Sequence, residues 1–322
     1  MKTVAVLRGG ASDEHEVSLK TGASVLKALP EDSFRTLDVF IDKHGVWHVR
    51  GVPMDPERAL CSSDVVFNAL HGAYGEDGSV QRMLDRMNIP YTGSGALSSA
   101  LAMNKPLAKE ILAKAGVRTA RSKVISVSAD IEKELLETFR AFALPVVIKP
   151  AHSGSSVGLT LARSFDSFKE GVKKAFQHGR QVLVEEFIKG KEATVGVIDA
   201  FRGESVYSLP AVGIILPKGS ELFDYDAKYS GECIEECPGS FSKGESEELA
   251  RLARLAHAHL GLRHYSRSDF IVSPNGIYYM ESNTLPGLTE ASLLPKELAA
   301  VGVSLSEFLR HVLSLAERGG KV

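Results

Sequence analysis

With 322 residues and 44% hydrophobic content, the chain can bury a large core but exceeds what one core usually organises, so two or three domains are expected. Its 38 Lys and Arg against 40 Asp and Glu leave a net charge of -2, which supplies no long-range field for gathering nucleic acid or an anionic membrane. No apolar run reaches membrane-spanning length and the first strand is too short for a signal segment, so a cytoplasmic protein is expected; Cys61, Cys233 and Cys237 read as reduced thiols.

Residues 4–7 form a buried-strand run ending in Arg8-Gly9-Gly10, and residues 12–29 read as a helix that opens with acids and stops at Pro30. Strands at 36–41 and 65–70, a glycine-rich segment at 71–78 and the helix after it continue the alternation, so residues 1–100 read as a Rossmann-like α/β domain. Gly9-Gly10 lacks the spacing of a dinucleotide fingerprint, and Asp13, Glu14 and Glu16 sit where a phosphate would go. Charge of that sign repels phosphate and invites an ammonium. A Gly-Ser segment at 92–95 precedes a small-residue helix that should end near Lys105, because Pro106 disfavours helical geometry in the residue before it.

Residues 101–188 read as a compact α+β domain: helix 107–115, strands near 123–127 and 145–150, a glycine-serine loop, strand 158–162, helix 165–178 and strand 181–186. Residues 189–322 hold strand 193–198, a polar aromatic stretch, helix 245–260, a hairpin over 269–283 and a last helix 305–318 closed by Gly319.

That hairpin carries the chemistry. A two-residue loop would put Pro274 where positive φ is required, so the expected loop is Pro274-Asn275-Gly276, which sets Asp269 opposite Glu281. Asn283 shares their face by the period of two. Two carboxylates and an amide oxygen, with no His or Cys, describe magnesium that keeps room for water and phosphate oxygens; a solvent-facing hairpin kept soluble by its acids is the alternative. Lys149 ends the apolar run 146–150 and is followed by small residues through Gly158, an arrangement that suits ATP phosphates and equally a plain hairpin turn. Strand 182–188 runs out into acids and then Glu192, either to meet adenine and ribose or as a solvated edge strand. Residues 223–231 have the character of a lid or of an ordinary surface loop. The amide of Gly287 falls beside the metal-bound phosphate and can stabilise an oxyanion, and Arg267 shares the face of Asp269, if only to neutralise it.

In chain order, LRGGASDEHEVSLKTG, NALHGAYGEDGSVQ, YTGSGALSSALAMNK, VVIKPAHSGSSVG, VEEFIKGKE, DYDAKY, RSDF and ESNTLPGLTEASLLP resemble the ATP-grasp superfamily and, within it, the D-alanine:D-alanine ligases from end to end. The resemblance implies a three-domain ATP-grasp fold with ATP between the second and third domains. It implies that Lys105, Lys149 and Ser156 contact ATP, that Glu185 with the backbone at Phe187 and Ile188 reads adenine, that Glu192 holds the ribose, and that Lys228 reaches the γ-phosphate. Asp269, Glu281 and Asn283 would carry two magnesium ions, with manganese as a substitute. Glu14 would take the first alanine's ammonium with His71 nearby, Arg267 and Gly287 would form the oxyanion hole, and Ser292 and Leu293 would bind the second alanine's carboxylate. Tyr229, Ser155 and Glu14 would latch the lid, and Tyr229 favours an amine over D-lactate. The implied activity is ATP-dependent joining of two D-alanines through a D-alanyl phosphate for peptidoglycan precursors, by a homodimer without nucleic-acid or membrane partners. A D-alanine:D-lactate ligase or another ATP-grasp carboxylate-amine ligase is the alternative.

Overall fold

The computed structural model describes every residue except 129, 153, 155–157, 218, 220–232 and 320–322. In β1 (Lys2–Gly9) four successive side chains, Val4 to Leu7, are fully buried, as a strand covered on both faces requires. It pairs in parallel with β2 (Phe34–Ile41) and β5 (Val65–Asn68), and the short antiparallel β3 (Trp47–Val49) and β4 (Val52–Met54) extend the sheet to the order β4-β3-β2-β1-β5. Ala5, Leu7 and Val66 face a core that contains Leu60 of α2 (Pro56–Leu60) and Leu84 of α3 (Ser79–Arg86). Val4, Val6 and Phe67 face the opposite core, shared with Val25 of α1 (His15–Ala28) and with Phe308, Leu309 and Val312.

After α4 (Ala96–Met103) the chain breaks at Asn104, whose side chain accepts from the Leu107 N–H and caps α5 (Lys105–Lys114). Lys105 therefore opens a helix instead of closing one. Pro106 sits in the first turn, where its missing N–H is not needed. Ala102, Ala108 and Leu112 share a core with Phe270 and Tyr279, so these helices pack on the third sheet although the sequence reading places residues 101–188 in a separate unit.

The second sheet has the order β6-β9-β7-β8 and is antiparallel throughout, formed by β6 (Ser122–Ser126), β7 (Val146–Pro150), β8 (Thr160–Ala162) and β9 (Gln181–Glu186). It is backed by α6 (Ile131–Ala141) and α7 (Phe165–Phe176), the latter held by a Ser164–Ser167 capping box. The third sheet, β13-β12-β10-β14-β15, consists of β10 (Lys191–Phe201), β12 (Val212–Ile215), β13 (Ile234–Glu236), β14 (Tyr265–Ser273) and β15 (Gly276–Asn283), with β11 (Glu204–Ser208) pairing the far end of β10. Behind it lies α8 (Lys243–His259); α9 (Leu293–Ala300) and α10 (Leu305–Gly319) complete the described chain. No single helix among the described residues is long and apolar enough to cross a membrane.

The β14–β15 turn differs from its expected form. Ser273 pairs with Gly276, leaving Pro274 and Asn275 as a two-residue tip; both keep negative φ, and Gly276 alone takes a positive value, 125°. The extra residue appears instead as a bulge at Met280, between the pairs Phe270–Tyr279 and Asp269–Glu281. One residue inserted at the bulge restores the expected register, so Asp269 does oppose Glu281.

Candidate active site

A cavity of about 570 Å³ opens between the second and third sheets, within the range of small-molecule and cofactor sites. Val147, Ile214 and Met280 give it an apolar wall; Lys105, Lys149, Glu192, Arg267, Asp269 and Glu281 converge on it. Phe187 and Ile188, just past the end of β9, line it as well, and Leu293 closes one side.

One face of the hairpin supplies the polar centre. Arg267 opposes Asn283 and Asp269 opposes Glu281. Arg267 grips Asp269 with two hydrogen bonds, Nε to Oδ1 at 3.1 Å and Nη2 to Oδ2 at 3.2 Å. The Thr194 hydroxyl donates to Asp269 at 2.5 Å, and Asn283 Nδ2 lies 3.3 Å from Asp269 Oδ2. Lys105 Nζ stands 3.1 Å from Glu281 Oε2. Half a turn of the Asn283 amide presents its oxygen to the same point, an orientation that heavy-atom positions do not distinguish. No group of three His, Cys, Asp or Glu side chains poised for a metal exists among the described residues. Two carboxylates and one amide fit a hard cation that keeps positions for water and phosphate oxygens.

Glu185 does not line the cavity. Its side chain is fully buried and turned away from the cavity onto two lysines: it accepts from Lys109, and Lys149 Nζ lies 2.8 Å from its second oxygen. Burial by itself would push this carboxyl up, but the two ammonium groups hold it well below the ordinary range. The cavity at the end of β9 is lined instead by Glu186, Phe187 and Ile188. Every side chain of β9 from Val182 to Glu185 is buried, so apolar periodicity could not show which way Glu185 points.

Glu14 sits at the N-cap of α1 and is packed between two glycines. A Cβ on Gly72 would lie 2.5 Å from its Oε2, and one on Gly154 would lie 2.9 Å away, so both loops approach the carboxylate only because they lack side chains there. His71, the residue before Gly72, is buried with Nε2 2.8 Å from the Thr21 hydroxyl; burial pushes its pKa down to about 4 and keeps the ring neutral. Sequence reasoning missed Glu76. Its carboxylate accepts from Gly72 N–H at 2.9 Å, from Leu285 N–H at 3.1 Å and from the Thr284 hydroxyl at 3.3 Å, tying the first-domain loop to the segment after the hairpin. Burial, then the charge of Glu14, push Glu76 up to about 7. The signal was an acid among Gly72, Gly75 and Gly78, residues small enough for backbone to close around it.

Past the hairpin, a Cβ on Gly287 would meet Ser292 Oγ at 2.8 Å. Ser292 Oγ accepts from the Thr289 N–H at 3.1 Å and leaves the first amides of α9 without a side-chain cap, a ready carboxylate site with Leu293 at its first turn. The structure thus brings Arg267, Asp269 and Glu281 together with Lys105 at the cavity wall, with Asn283 on the same hairpin face, and sets Glu14 against Gly72, the chain neighbour of His71. Ser155, Ser156, Lys228 and Tyr229 lie outside the described residues.

Residues 111–314 match the model of the D-ala D-ala ligase C-terminus, and residues 3–60 and 51–94 match that of the N-terminus. The D-alanine–D-alanine ligase of Syntrophobacter fumaroxidans is 39% identical over 315 residues, 98% of this chain and 97% of its own. That of Pelobacter propionicus is 41% identical over 326 residues, covering 98% and 96%. Among solved structures, VanG D-Ala:D-Ser ligase from Enterococcus faecalis superposes with a TM-score of 0.85 at 28% identity, covering 98% of this chain and 99% of that one. D-alanyl-alanine synthetase A from Vibrio cholerae also gives 0.85, at 26% identity with 98% of both chains covered. Full-length similarity of this kind, on an ATP-grasp architecture with its cleft between the second and third sheets, places the chain in the D-Ala-D-Ala ligase family.

Proposed function

We propose that the protein is an ATP-dependent, magnesium-requiring ligase that joins two D-alanines through a D-alanyl phosphate, giving D-alanyl-D-alanine, ADP and phosphate for peptidoglycan precursors. The observation that carries this reading is the hairpin face on which Arg267, Asp269, Glu281 and Asn283 stand side by side, at the wall of a cavity that also holds Lys105 and Lys149.

A carboxylate is a poor electrophile, so the first alanine is phosphorylated before the second alanine's amine attacks it through a tetrahedral intermediate. Lys105 and Lys149 offset the crowding of phosphate charge, and Phe187, Ile188 and Glu192 receive the adenosine. Magnesium held by Asp269, Glu281 and Asn283 would neutralise the terminal phosphates and orient them. Glu14 takes the first ammonium, and His71 stays neutral. Arg267 and the Gly287 N–H stabilise the oxyanion. Ser292 and the start of α9 hold the second carboxylate. Lys228, Tyr229 and Ser155 belong to the same reading as a lid that keeps water from the acyl phosphate. A cytoplasmic location and a homodimer formed through the first domain complete it; sedimentation at micromolar concentration checks the dimer.

Phosphate release at neutral pH tests the activity, with D-alanine alone, D-alanine plus D-lactate, D-alanine plus D-serine, and L-alanine. Release with D-alanine alone, matched by dipeptide, is expected. Release that requires D-lactate or D-serine would move the second substrate, and no release with any of these would sink the ligase assignment.

A further inference from the structure

Helix α5 places Lys105 and Lys109 one turn apart on a single face. Lys105 reaches the cavity and Glu281, whereas Lys109 lies deeper, with only 3% of its side chain exposed. From the cavity inward the order is Lys149, then Glu185, then Lys109, and neither Glu185 nor Lys109 lines the cavity. Lys109 hydrogen-bonds Glu185. Lys149 Nζ lies 2.8 Å from the other oxygen, so the two ammonium groups flank the carboxylate, one on each oxygen. Lys149, which lines the cavity as Lys109 does not, is the partner within reach of a ligand there. If Glu185 had Lys149 alone, a phosphate that drew Lys149 into the cavity would strand a buried carboxylate, a severe penalty that would be subtracted from ligand affinity.

We propose that Lys109 is a positioning residue for the nucleotide: it holds Glu185 in place as a buried anion, which frees Lys149 to engage the phosphates, and so it sets ATP affinity and not the rate of the chemical steps. Lys109 acts only through Glu185 and touches no substrate. The inference rests on the cavity being the ATP site.

The test measures binding of a non-hydrolysable ATP analogue with Mg2+ by calorimetry, alongside ATP KM and kcat with D-alanine, on the full-length protein. In Lys109→Met, analogue Kd and ATP KM are expected to rise about tenfold or more while kcat changes by less than about threefold. In the pair Lys109→Met with Glu185→Gln no buried carboxylate is left behind and Lys149 keeps the charges of Glu281 and Glu192, so analogue Kd is expected to return to within about fivefold of wild type. An unchanged Kd in Lys109→Met, or a fall in kcat at constant KM, would overturn the proposal. If Lys109→Met alone does not fold, the pair decides: a folded pair that still binds the analogue tenfold more weakly than wild type assigns Glu185 a direct nucleotide contact and overturns it too. Wild-type protein that binds the analogue without ligating D-alanine refutes the ligase assignment and leaves this inference to be judged on Kd. Wild-type protein that does not bind the analogue sinks both.

Discussion

His264 should make the protein sensitive to mild acid, and replacing it with glycine should reverse the order of stability between pH 7.5 and pH 5. The residue sits at φ 66°, a region glycine enters freely, and its Nδ1 accepts a hydrogen bond from the buried Gly93 N–H at 3.1 Å. Burial, reinforced by the neighbouring Arg263, pushes the imidazole down to about 4 from 6.5. Above pH 6.5 it is neutral in both folded and unfolded chains. As pH falls below 6.5 the unfolded chain takes up a proton that the folded one refuses until about pH 4, so stability present above 6.5 is lost on acidification at about 1.4 kcal/mol per pH unit. At pH 5 that amounts to about 2 kcal/mol. His264→Gly loses the hydrogen bond, about 1–2 kcal/mol, and relieves about 1 kcal/mol of left-handed strain. The variant should therefore be slightly less stable at pH 7.5, cross wild type near pH 6, and be more stable by about 1 kcal/mol at pH 5. Urea unfolding followed by far-UV circular dichroism at half-unit pH steps measures both curves; curves that fall in parallel would show that His264 charges freely in the folded protein, refuting the reasoning.

Glu281→Gln keeps the shape at the hairpin but removes the charge facing Lys105, so turnover should fall about a hundredfold or more with the melting temperature within a few degrees; turnover close to wild type would contradict the metal role proposed for it. Gly287→Ala puts a methyl 2.8 Å from Ser292 Oγ, and is expected to raise the KM for the second D-alanine about tenfold while ATP KM holds, as initial rates across D-alanine concentration would reveal. Phe308→Ala empties a fully buried site packed edge-on against Tyr265 at 5.2 Å and should destabilise by about 3–5 kcal/mol in chemical unfolding; a loss below about 1 kcal/mol would mean that α10 is not part of the first sheet's core.

The hairpin site was legible because strand periodicity is strict: once Asp269 and Glu281 are opposed, Arg267 and Asn283 follow on the same face. The loop was misjudged and the register still came out right, since a bulge at Met280 supplied the residue that the tip did not. A bulge has no composition of its own. The helix break expected before Pro106 is present, with α4 ending at Met103, but Pro106 itself sits in the first turn of the next helix; α9, with Pro295 in its first turn, was not read from the sequence. Strands β3, β4 and β13 span three residues each, too short for any alternation to register. Glu185 and Glu76 lay beyond local reasoning, because their partners come from Lys109, 76 residues away, and from Leu285, 209 residues away.

Because Phe308, Leu309 and Val312 of α10 close the core that Val4, Val6 and Phe67 begin, the opening and closing stretches of the polypeptide are mutually dependent. During synthesis this face of the N-terminal sheet is covered only in part, by α1, until α10 leaves the ribosome, with aliphatic surface open to chaperones or to a neighbouring nascent copy. Loss of that helix would consequently injure the core that seats α1, with Glu14 at its N-cap, although the two are far apart along the chain.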